Sequence, residues 1–117
     1  MLVFILVLGT LCEIGSVRIA QRYQRALLHA GAALSEKNWD RALSLVNDLA
    51  LQWDQESGFV QLWINHADVD DVTQGLIYLQ AAIISQDSFS ALLYYGECME
   101  NFGHLHHRDA FTLKNIL

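Results

Sequence analysis

Between residues 39 and 64 a large apolar side chain recurs every third or fourth position: Trp39, Ala42, Val46, Leu49, Trp53, Val60 and Trp63. Glu56 is the one polar gap in that stripe, and all three tryptophans of the chain lie on it. The spacing predicts one long helix with a face that other helices must cover, Gly58 being the place where it would kink or break. Upstream, Ala20, Tyr23, Leu27, Ala30 and Leu34 predict a helix over 14–34. A polar turn, Ser35-Glu36-Lys37-Asn38, separates the two, and Asn38 is a natural N-cap. Asn65-His66-Ala67-Asp68 makes the next turn. Asp68, Asp70 and Asp71 then crowd the positive end of a third helix, whose buried stripe is Val69, Val72, Leu76, Leu79 and Ile83. After Ser85-Gln86-Asp87-Ser88, with Asp87 or Ser88 as cap, a fourth helix carries Phe89, Leu92, Leu93, Met99 and Phe102.

Short turns force neighbouring helices antiparallel. The fold class expected is therefore all-α, an antiparallel up-down four-helix bundle. Its first helix is continuous with an apolar segment, so residues 1–17 read as an anchor and 18–117 as the helical domain. An internal echo appears at an offset of fifty, where Ser35, Trp39, Leu43 and Leu49 match Ser85, Phe89, Leu93 and Met99. Two stacked helical hairpins would produce it, but a solenoid would need more copies.

The opening run, MLVFILVLGTLC, spans about 18 Å as a helix, short of the ~30 Å hydrocarbon core. Extension to Ala20 reaches the usual length and brings in Glu13 and Arg18, the latter able to snorkel. A membrane anchor is the leading reading, with a cleaved signal or a buried helix as rivals. The basic start and small-x-small site of a signal peptide are not evident. Leu11 before Cys12 argues against lipidation of that cysteine.

Composition narrows the rest. The 117 residues suffice for one domain, and the absence of proline suits helices joined by short turns. From Ala42 to His107 there is no Lys or Arg, while nine acids occupy the same span: Asp48, Asp54, Glu56, Asp68, Asp70, Asp71, Asp87, Glu97 and Glu100. Such a body is repelled by phosphate backbones, which excludes nucleic acid as a partner. The acids themselves read as a solvated surface. Cys12 and Cys98 form no CxxC motif or disulfide framework.

No nucleophile–base pair, phosphate loop or catalytic motif is present, so no enzymatic activity, catalytic residue, cofactor or small-molecule substrate is expected. One cluster bears testing. His104 and His107 are three apart, a spacing that can share a metal, and the bundle topology brings His66, Asp68, Asp109 and Glu13 to the same end. The bland alternative is exposed polar side chains, with histidine favourable near a helix C-terminus.

Taken together, several features resemble an uncharacterised bacterial family, domain of unknown function 4363. They are the apolar run closed by Glu13, Asn38-Trp39 followed by Ala42 and Leu43, and Trp53. They also include the Asn65-His66 turn with its acids and Val69, and the ending Leu113-Lys114-Asn115-Ile116-Leu117. The resemblance implies a membrane-anchored helical domain and supplies no activity. It also implies basic residues ahead of the apolar run, which would place the domain outside the cytoplasm. Arg18, Arg22 and Arg25 after the run favour the opposite side. A native start upstream of Met1 would reconcile the two. The expected function is a membrane-tethered interaction or structural module of the bacterial envelope with an unidentified protein partner. The alternative is an ion- or pH-responsive envelope domain built on the histidine–carboxylate end.

Overall fold

A computed structural model describes residues 2–60, 64 and 66–116, with the side chains of 9–14, 16–17 and 106–116 outside that description. The protein is all-α, and among the described residues there is no strand. The helices are α1 (Leu2–Ser35), α2 (Trp39–Val60), α3 (His66–Ile84) and α4 (Ser88–Ile116). α1 is one helix from the apolar start through the last residue before the turn. α2 is described through Gly58 to Val60, and the rest of the predicted stripe, at 61–63, lies outside the described residues. Ile64 N bonds Val60 O (3.1 Å), and Ile64 is part of the core.

Each helix packs on two others: α1 on α2 and α4, α3 on α2 and α4. Specific contacts set the directions. Asn47 meets Gln80 while Trp53 meets Thr73, so α2 and α3 run antiparallel. Gly75 abuts Cys98 while Asn101 reaches Asp71 O, and Gly31 abuts Tyr95 while Gln24 bonds Met99 O. α4 is therefore antiparallel to both α3 and α1. The molecule measures 54 × 21 × 20 Å, the long axis matching the ~51 Å rise of a helix the length of α1.

Both hairpin turns share one construction. Lys37 and Gln86 each sit at φ 55°, in the left-handed region. Asn38 N bonds Ala33 O (2.9 Å) and Lys37 N bonds Leu34 O (3.0 Å). Asp87 N bonds Ala82 O (3.1 Å) and Gln86 N bonds Ile83 O (3.0 Å). These are paired Schellman closures that satisfy the last carbonyls of α1 and α3. Asn38 then caps α2 through Arg41 N (3.3 Å), and Asp87, not Ser88, caps α4 through Ser90 N (3.2 Å).

The turns correct the internal echo: the hairpins repeat at an offset of 49, not fifty. At 49, Lys37 falls on Gln86 and Asn38 on Asp87. Buried Leu27, Ala33, Leu34, Ala42, Leu49 and Trp53 fall on buried Leu76, Ala82, Ile83, Ala91, Cys98 and Phe102. The offset of fifty had paired Trp39 with Phe89 and Leu43 with Leu93. Phe89 is in fact 79% exposed, and Leu92 and Leu93 are 50% exposed each. The core face of α4 is Ala91, Cys98, Phe102 and Leu105, with Tyr94, Tyr95 and Met99 partly buried. The stripes predicted for α1 and α3 are buried residue for residue.

Candidate functional site

Of the polar cluster expected at one end of the molecule, the side chains of His66, Asp68 and His104 are described. His66 opens α3 and is exposed. His104 is exposed too, and its Nε2 lies 3.6 Å from Glu100 Oε1 one turn away, an exposed contact of small energetic weight. The side chains of Glu13, His107 and Asp109 lie outside the described residues. Among the residues that are described, no group of three or more His, Cys, Asp or Glu is placed to hold a metal. Asp68 departs from the solvated-surface reading: in the first turn of α3 it is buried, with 4% exposure.

The most organised group of side chains was only half legible in the sequence. Tyr23 of α1 stacks on Phe102 of α4, centroids 5.0 Å apart and rings 3° from parallel. Trp53 of α2 stands edge-on to both, at 5.3 Å and 5.6 Å. α3 joins through Thr73, whose Oγ1 accepts from Trp53 Nε1 (3.0 Å) and donates to Val69 O (3.0 Å). All four helices thus meet around one aromatic triad, whose edge-to-face geometry adds to its burial.

Glu56 explains its own place in the Trp53 stripe. Its Oε2 accepts from the Tyr23 hydroxyl (2.7 Å) and pairs with the Arg22 guanidinium. The gap in the apolar face is the point where α2 turns a carboxylate onto α1. Burial, then the bond to Glu56 and its charge, push the Tyr23 phenol well above the ordinary tyrosine range. Arg22, one of the three arginines that follow the apolar run, is engaged with α2. The arrangement holds a neutral phenol in place; it offers no base near a nucleophile.

Beside the triad a cleft of about 170 Å³ opens between α2 and α3. Ala50, Trp53, Leu76 and Ile77 form its apolar wall, and Asp54, Thr73 and Gln80 its polar edge. The repeat explains why it is open: Met99 stands where the first hairpin has Ala50. On the matching α1–α4 side, Gly31 also lets Tyr95 close in. Ala50 next to Thr73 and Gln80, both bordering the α3 stripe, was the available sequence signal.

Cys98 is buried, and burial followed by the charge of Glu97 pushes its thiol up to about 12. At neutral pH it is a packed thiol and not a nucleophile.

The described chain is thus four helices packed around one aromatic centre. The family model described as Domain of unknown function (DUF4363) matches residues 17–116, and the chain belongs to that family. No curated protein and no solved structure matches it.

Proposed function

We propose that the protein is a membrane-tethered helical module of the bacterial envelope that acts by binding another protein, without catalysis. In this reading the four helices form an up-down bundle held at the membrane by the start of α1. One observation carries the tether. Residues 2–8, Leu2, Val3, Phe4, Ile5, Leu6, Val7 and Leu8, are consecutive, apolar and 40–72% exposed, on a helix that continues without a break into the folded core. Seven successive residues cover every side of a helix, so the exposed apolar surface goes all the way round rather than along one stripe. Water is the wrong solvent for such a cylinder, and a bilayer or a protein groove is the right one. Among the described residues no helix is long and apolar enough to cross a membrane by itself. The tether therefore depends on residues around Glu13 and Arg18 completing the span.

The binding role is supported by the acidic body, by an aromatic centre devoted to rigidity, and by the lack of an assembled reaction site among the described residues. The side we propose for the domain is the extracytoplasmic one, a reading supported by the family resemblance. Flotation of the full chain with lipid vesicles tests the tether. It is expected to rise with the lipid and to resist carbonate, while Phe4→Asp with Leu8→Asp leaves it at the bottom of the gradient. A wild-type chain that stays at the bottom overturns the tether.

A further inference from the structure

We infer that the outward face of the first two turns of α4, Phe89, Leu92 and Leu93, is a docking surface for an amphipathic helix of a partner protein whose polar face is basic. This deepens the binding role proposed above and does not depend on the tether. The apolar side of the surface is direct. Phe89 is 79% exposed, and Leu92, Leu93 and Tyr78 are each 50% exposed. Phe89, Leu92 and Leu93 have the i, i+3, i+4 spacing of one helix face. Tyr78 on α3 meets Tyr94, on the flank of α4 that turns toward α3, at 5.5 Å between centroids.

The internal repeat supplies a control for what the fold itself requires. At the offset of 49, Phe89 corresponds to Asp40, Leu93 to Ser44 and Tyr78 to His29, all exposed in the first hairpin. Leu92 corresponds to Leu43, which is partly buried there. At Phe89 and Leu93 the same backbone positions thus carry exposed polar side chains in one hairpin and large apolar ones in the other. Packing does not demand the apolar residues, and exposed apolar surface beyond that demand marks an interaction site.

Charge selects the occupant. Asp87, Glu97 and Glu100 border the face on α4, all exposed, and no Lys or Arg occurs between residues 42 and 107. An acid-rimmed apolar strip complements a helix with leucine-like anchors and Lys or Arg beside them. A second copy docking through the same face would set acids against acids under two-fold symmetry. Anionic lipid is repelled in the same way. Position also excludes the tethering membrane. The antiparallel order places the turns at 36–38 and 85–87 together, at the far end of α1 from residues 2–8, about 40 Å away along the helix.

The test uses the full chain in phosphatidylcholine nanodiscs and two fluorescent designed helices with identical leucine positions, one with lysine and one with glutamate on its polar face. Anisotropy is expected to show binding of the lysine helix, weakening as salt is raised, with empty discs as blank. Phe89→Ser with Leu93→Ser should weaken it about tenfold or more at unchanged melting temperature, and Leu51→Ser, a change at an exposed leucine on α2, should not. Equal binding of both helices overturns the charge argument. Binding indifferent to the Phe89/Leu93 change overturns the site. Self-association in sedimentation that the same change abolishes assigns the face to a second copy and overturns the partner. Should the chain fail to enter the discs, the tether fails alone, and the same titration on the free chain still decides the docking surface.

Discussion

At the scale of single residues, Trp53 and Gly31 hold the most revealing positions. Trp53 is 2% exposed and meets Tyr23 and Phe102 through its ring and Thr73 through its N–H. Trp53→Ala is expected to cost about 3–5 kcal/mol by chemical denaturation. Trp53→Phe keeps the ring contacts and isolates the lost hydrogen bond, worth roughly 1 kcal/mol. A Cβ on Gly31 would lie 2.5 Å from Tyr95 Cζ, so Gly31→Ala should cost about 1–3 kcal/mol. In a Tyr95→Leu background most of that cost should vanish, a coupling that a double-mutant cycle reads directly. That Glu56 lies on the buried face was visible from its place in the stripe. That its partner is the Tyr23 hydroxyl was not, because the pairing joins residues 33 positions apart on different helices.

At the scale of helices and turns, the two Schellman closures carry Lys37 and Gln86 in a conformation that costs a residue with a Cβ about 1–2 kcal/mol. Lys37→Gly and Gln86→Gly should each raise the melting temperature, the relief exceeding the extra entropy of an unfolded glycine. The misjudged face of α4 belongs to this scale too. That helix has apolar residues on both sides, and hydrophobicity alone points to the wrong one, toward Phe89, Leu92 and Leu93. Size decides instead. Cys98 Sγ would stand 3.2 Å from a Cβ on Gly75, and Ala91 is fully buried, so α3 and α4 approach too closely there for leucine or phenylalanine. Cys98→Leu should therefore destabilise by about 1–3 kcal/mol through overpacking. Leu93→Ser should stay within about 0.5 kcal/mol of the parent.

For the molecule as a whole, burial of two weak acids predicts an alkaline limit. The Cys98 thiol is raised from 9.0 to about 12, chiefly by burial, and the Tyr23 phenol is raised from 10.0, by burial and then by Glu56. Both raised values mean that the folded state keeps protons the unfolded chain releases. Stability is thus full below about pH 9 and falls as pH climbs toward 12. Thermal melts followed by circular dichroism across that range should show the decline. Cys98→Ala should delay its onset toward pH 10, and Tyr23→Phe should flatten the part above it. If the decline is the same in both variants, these two groups are not its source.

The chain by itself determined that the protein is all-α, where the turns at 36–38 and 85–87 fall, and which faces of α1, α2 and α3 are buried, because caps and apolar periodicity act between residues a few positions apart. It also showed an apolar start and an acidic body, which are properties of composition and order. The rotation of α4 against its neighbours, the register of 49 between hairpins, the Glu56–Tyr23 pairing and the burial of Asp68 were decided only in the tertiary structure. Each depends on how closely two helices approach, and that distance is set by the volumes of side chains far apart in the chain, at Gly31 and Tyr95 or Gly75 and Cys98, which no local pattern records.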